Sequence, residues 1–120
     1  MILKIIETES GKVAVANSEE PIIIDGQSAL EFVMNIGYEH NCRRIAVNKA
    51  AVAEDFFRLS TGLAGEIAQK FVNYRYRFAI VGDFSGYTSK PLRDFIYESN
   101  QGRFLYFAAN EEEAIKRLSC

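Results

Sequence analysis

Two segments carry the side chains best suited to chemistry. The first is Ser60-Thr61-Gly62-Leu63, where hydroxyls precede a helical pattern. A phosphate placed on Ser60 would meet the free N–H groups and the positive dipole end of such a helix, and would change the local charge by almost two units. The plainer role for Ser60, Thr61 and Gly62 is a helix cap. The second segment spans residues 83–90, where Asp83, Ser85, Tyr87, Thr88, Ser89 and Lys90 bring hydroxyls and one ammonium to another helix start. Asn48 and Lys49 end a neighbouring strand and add an amide and a second ammonium. Together these groups suit a phosphate or carboxylate ligand, and a nucleotide-type ligand belongs to the same class. The plainer reading is a loop that satisfies its own backbone through Asp83, Ser85 and Ser89.

Other chemistry lacks its groups. His40 is the single histidine, so multi-histidine metal sites are excluded, and its position near a helix end suits the dipole there. A Ser-His-Asp triad has no nucleophile motif to support it. Cys42 and Cys120 lack zinc-site spacing and make no disulfide framework; they read as a half-buried thiol and a terminal one. Glu54, Asp55 and Glu66 have no partner for acid–base work and read as solvated or capping groups. No cofactor and no enzymatic activity are expected. The run Phe71-Val72-Asn73-Tyr74-Arg75-Tyr76-Arg77-Phe78 mixes rings with arginines, as nucleic-acid binders do. Phe71 and Phe78 fit core faces, however, and the formal net charge is −2. Nucleic acid is therefore not an expected partner; core packing with a partly exposed helix end is the expected role of the run, and the tyrosines suit a protein interface equally.

The elements that position these groups follow from the hydrophobic pattern. Leu3-Lys4-Ile5-Ile6 and Lys12-Val13-Ala14-Val15-Ala16 flank Ser10-Gly11, which predicts a hairpin. Pro21-Ile22-Ile23-Ile24 is a third short apolar run, suited to a strand start or an edge. A helix opens at Ser28 or at Asp25. Glu31 stands three residues after Ser28, as in a capping box, and Leu30, Val33, Met34 and Tyr38 form its apolar face. Arg44-Ile45-Ala46-Val47-Asn48 is a buried strand. Over residues 54–74 two readings stand: one continuous helix, or a short turn near Phe56 followed by a helix entered at Ser60 or Thr61. Gly62 and Gly65 each weaken a helix interior by about 1 kcal/mol. Phe78-Ala79-Ile80-Val81-Gly82 reads as a central parallel strand. Ser89 caps the next helix, with Pro91 in its first turn and Leu92, Phe95 and Ile96 inward. Phe104-Leu105-Tyr106-Phe107 is the last strand. Glu111-Glu112-Glu113 opens a terminal helix that closes on Lys116-Arg117.

The order is β-β-(β)-α-β-α-β-α-β-α in 120 residues, enough for one domain spanning 1–120. It predicts an α/β fold with a mixed, mainly parallel sheet, an N-terminal antiparallel hairpin and about four helices. No run of 18 apolar residues spans a membrane, and no basic stretch followed by a long apolar one opens the chain. A cytoplasmic protein without membrane partners is expected.

This succession resembles the STAS domain of anti-sigma-factor antagonists. Arg44-Ile45-Ala46-Val47-Asn48 resembles the strand before the family's signature loop, Ser60-Thr61-Gly62-Leu63 its Ser-Ser-Gly-Leu signature, and residues 104–118 its closing strand and helix. Leu59 stands where those antagonists carry an aspartate before the phosphorylated serine. An alternative register sets Asp55 near the aspartate and Phe56 at the serine. The chain is also similar to a family of small bacterial proteins, regarded as STAS-like and catalogued as a domain of unknown function. That similarity runs through Asp55-Phe56-Phe57-Arg58-Leu59-Ser60-Thr61-Gly62-Leu63-Ala64-Gly65-Glu66-Ile67, residues 82–90 and Asp94-Phe95-Ile96-Tyr97-Glu98. These resemblances imply a single STAS-like domain acting as a non-enzymatic, regulatory protein-interaction module with a protein partner. They also imply a sheet edge able to pair in a homodimer. The alternative is a sensor of a small anion that uses the loop after the central strand.

Overall fold

A two-residue turn, Glu9-Ser10, joins strands β1 (Ile2–Thr8) and β2 (Gly11–Asn17), which pair antiparallel from Thr8↔Gly11 to Ile2↔Asn17. Gly11 has φ +120°, and a Cβ there would lie 2.9 Å from the Arg44 guanidinium, so the turn requires glycine. Strands β3 (Arg44–Asn48), β4 (Arg77–Val81) and β5 (Leu105–Ala108) then add in sequence order, each parallel to the one before it. The computed structural model describes residues 1–119, and Cys120 lies outside them.

Sequential strand order has a consequence for the helices. Right-handed crossovers between neighbours that always step the same way put every crossover helix on one face. That face holds α1 (Gly26–His40), α2 (Leu63–Tyr74) and α3 (Lys90–Gln101) over Ala14, Ala16, Ile45, Val47, Phe78, Ile80, Leu105 and Phe107. The alternate residues Val13, Val15, Ala46, Ala79, Tyr106 and Ala108 face the other way, against Ala114 and Leu118 of α4 (Glu111–Leu118). Period-two alternation thus builds two cores from one sheet. The architecture is a single α/β domain with a mixed five-stranded sheet, an N-terminal antiparallel hairpin and four α-helices.

Three local expectations change. Helix α1 is capped by Asp25, one of its two expected starts, but the box partner differs: the Asp25 carboxylate accepts from the Ser28 N–H at 2.8 Å, while the Ser28 hydroxyl accepts from the Asp25 N–H at 3.0 Å. The capping box is therefore Asp25–Ser28. Glu31 instead accepts from the Gln27 amide at 3.0 Å. The inward stripe of α1 is Gly26, Ala29, Val33 and Ile36. Met34 and Tyr38 follow one or two positions after members of that stripe, and about 100° of rotation per residue turns them outward; Tyr38 is 93% exposed. Residues 21–24 do not join the sheet. Ile23 makes one parallel bridge to Val52, because Pro21 lacks a donor and the helix cap at Asp25 ends the run.

Residues 54–74 are broken, as the second of the two readings has it. Short 3₁₀ turns cover Lys49–Ala51, Glu54–Phe57 and Leu59–Thr61, and α2 begins at Leu63 after Gly62, whose φ is +76°. The helix starts slightly later than an entry at Ser60 or Thr61. Adjacent Phe56 and Phe57 are both buried, which a regular amphipathic helix seldom allows for neighbours, and Gly62 supplies the left-handed residue that redirects the chain.

Candidate functional site

The parallel strands end, at their C-terminal side, in the two segments singled out above. Lys49 follows β3, and Asp83 follows β4 by way of Gly82. A Cβ on Gly82 would lie 2.8 Å from the Lys49 Cβ, so this glycine makes room for the lysine stem. The Lys49 ammonium lies 5.0 Å from the Tyr87 ring centroid, 5.5 Å from that of Phe57 and 4.0 Å from the Glu54 carboxylate. The Tyr87 hydroxyl donates to Glu54, with oxygen separations of 2.7 and 3.0 Å. The rings of Tyr87 and Phe57 stack at 5.1 Å. Phe57 also meets Phe56 at 5.0 Å and Phe84 at 5.9 Å. Residues 54–62 and 83–90, distant in the chain, thus meet across one aromatic and hydrogen-bonded junction.

The remaining expected site residues have local partners. Asn48 clamps Ser18, accepting from its N–H at 2.9 Å and donating to its carbonyl at 2.7 Å. Asp83 accepts from the Ser85 N–H at 2.9 Å and its hydroxyl at 2.6 Å, forming an Asx turn. Ser89 caps α3, and Lys90 pairs with Asp94 at 2.6 Å on the surface. Thr61 donates its hydroxyl toward the Asp55 and Arg58 carbonyls and accepts from the Leu63 N–H. Ser60 is exposed, and its hydroxyl has no hydrogen-bond partner among the described residues. Lys49 therefore joins Tyr87, whereas Lys90 is engaged with its own helix. Glu54 and Phe57 complete the junction; the sequence offered no pattern for them beyond two adjacent aromatics after an acidic pair. Cys42 is buried rather than half-buried, with its thiol against the Lys12 and Arg44 carbonyls. Phe71 and Phe78 stack in the core at 4.5 Å.

The electrostatics of the junction favour fixed charge states. Polar contact with the Tyr87 hydroxyl, then the charges of Glu54 and Asp83, raises Lys49 above the usual lysine value. Burial raises the Tyr87 phenol. Hydrogen bonds from Ser85 lower Asp83, and those from Ser28 lower Asp25.

The signs give a pH prediction. The lowered carboxylates contribute stability that is complete above their usual value of 3.8 and lost as pH falls through the folded value. The raised Tyr87 and Lys49 contribute stability that is complete below 10.0 and 10.5 and lost as pH rises through their folded values. The melting temperature is expected to fall on both sides of a plateau. Asp83→Asn should flatten the acid limb and Tyr87→Phe the alkaline limb; parallel curves for wild type and variant would contradict the assignment.

Among the described residues, no three His, Cys, Asp or Glu side chains gather as metal ligands, and no helix is long and apolar enough to cross a membrane. Neither curated proteins nor solved structures give a match to the chain. Residues 8–118 match the family model described as Domain of unknown function (DUF4180). That match takes in every strand and helix described above except the first strand, of which it holds only Thr8, and so the chain belongs to the DUF4180 family.

Proposed function

We propose that this domain is a non-enzymatic, regulatory protein-interaction module of STAS-like type, which docks a protein partner through residues 54–62 and 83–90. The observation that carries this reading is the junction of Phe57, Tyr87 and Glu54, which fuses the two segments into one surface. The order of strands and helices, with α2 entered just after Ser60-Thr61-Gly62, supports the likeness to STAS domains. An enzymatic use fits the chemistry poorly. A general acid or base works best with its pKa near the operating pH, and Lys49 and Tyr87 are both shifted upward, away from neutrality. An anion at this loop would meet Lys49 already balanced by Glu54 and Asp83.

Regulation centres on Ser60. Its exposed hydroxyl lies just before α2, and Gly62 provides no side-chain cap for that helix. A phosphate at Ser60 would supply acceptors to the first-turn N–H groups and would change the docking surface by almost two charges. Intact mass after incubation with ATP and extract of the native cells tests this. Phosphate on wild type but not on Ser60→Ala is the expected result, and no added phosphate under any condition would remove the switch. Docking itself is tested by whether a partner held by wild type is lost from Ser60→Arg.

A further inference from the structure

A group of five cations lies at the opposite end of the sheet, where the parallel strands begin. Arg44 and Arg77 open β3 and β4 and stand opposite each other in register. Lys12, Arg43 and Arg75 join them around a concave site of about 440 Å³, bounded by the hairpin turn and by the C-terminal ends of α1 and α2. Arg43 donates to the Tyr74 carbonyl at 2.6 Å and lies over the Tyr76 ring at 4.6 Å. Arg44 donates to the Ser10 carbonyl, and Arg77 to the Arg103 and Leu118 carbonyls. Among the described residues, no carboxylate lies within ion-pair distance of Arg43, Arg44 or Arg75. Glu39, the acidic residue of the adjoining helix end, instead faces His40 at 3.8 Å. Helix C-termini present carbonyl oxygens and partial negative charge, which accounts for one cation at each end. It does not account for this many positive groups in one concavity of a chain whose net charge is −2.

The backbone supplies a second, independent observation. Asn41 and Arg75 are the two non-glycine residues with positive φ among those described, and both line this site. Asparagine tolerates that conformation. Arginine does not favour it, and glycine is the common residue at such a helix end. Arg75, with φ 60° and ψ 46°, thus places a guanidinium at the rim against the local backbone preference. Unfavourable backbone geometry of this kind concentrates at functional sites.

We infer that this concavity binds a small polyanion carrying two or more linked phosphate groups. Guanidinium forks match phosphate oxygens in geometry, and several cations call for more than one negative charge. The volume falls in the range of small-molecule sites, and the site is bordered by a turn and two helix ends.

The test uses calorimetric titration and thermal melting with sodium tripolyphosphate, comparing wild type, Arg75→Gly and Arg93→Ala, the last altered in the first turn of α3. Saturable binding that raises the melting temperature and weakens with salt is expected of wild type. Arg75→Gly should bind about tenfold or more weakly, in line with loss of one charged hydrogen-bonding group, yet melt higher than wild type without ligand. Arg93→Ala should bind as wild type does. Absence of binding by wild type at millimolar ligand, equal binding by Arg75→Gly, or preference for a single-stranded oligonucleotide over tripolyphosphate would each overturn the assignment. A lost partner on Ser60→Arg leaves this test unaffected, because the two sites lie at opposite ends of the sheet.

Discussion

Phe57→Ala is expected to lower the unfolding free energy by about 3–5 kcal/mol. Phe57 is 4% exposed and touches Phe56, Phe84 and Tyr87, so truncation opens a cavity that three rings cannot all close. Domains of this size hold only about 5–15 kcal/mol in total, and the variant should be marginal at 37 °C. Urea denaturation followed by circular dichroism measures the loss. The consequence for the surface is separate. Without Phe57, the stack that joins residues 83–90 to residues 54–62 is gone, and amide exchange in the 83–90 loop should accelerate even where the variant remains folded. A loss below about 1 kcal/mol, the scale of an ordinary surface substitution, would show that the junction is not part of the core.

Gly82→Ala is the second large effect. The new Cβ would meet the Lys49 Cβ at 2.8 Å, and that atom is fixed by its own backbone. The ends of β3 and β4 must move apart, although Val81 and Asn48 pair at that point and the Gly82 N–H donates to the Ala108 carbonyl. Overpacking of this kind costs about 1–3 kcal/mol. Displacement of Lys49 should also take its lowering influence from the Tyr87 phenol, which burial and Glu54 raise, so the phenol moves further above the usual tyrosine value; ultraviolet difference titration against Tyr87→Phe reads this. An unchanged midpoint in denaturant together with an unchanged Tyr87 titration would show that the glycine is incidental.

The elements that obey one period were legible in the sequence. Strands β2 to β5 read as apolar runs, and strict alternation with helices fixed their parallel direction. The Ser89 cap with Pro91, and the acidic start of α4, were equally direct. Other features depend on contacts between segments far apart in the chain. The stripe on α1 shifted because Gly26 and Ala29, small residues with weak hydrophobic signal, share the buried face with Val33 and Ile36. Glu54 is exposed, as a solvated acid would be, and only the loop from β4 brings Tyr87 to it. Lys49 and Lys90 looked like a pair, yet Asp94 lies four residues along the same helix and takes Lys90. The arginines at the strand starts were visible individually, but only the in-register pairing of Arg44 with Arg77 and the left-handed turn at Arg75 gather them in one place.

The central claim is that residues 54–62 and 83–90 form a single docking surface. Its most direct measurement is retention of a protein partner from the native cells by four immobilised forms: wild type, Ser60→Arg, Thr88→Arg and Arg75→Gly. Ser60 and Thr88 are exposed, and a charge at either should leave the melting temperature within the small range of surface changes. The account predicts one partner that is held by wild type and Arg75→Gly and lost from both Ser60→Arg and Thr88→Arg. A partner that survives both arginine substitutions, or one lost from only one of the two segments, would contradict it.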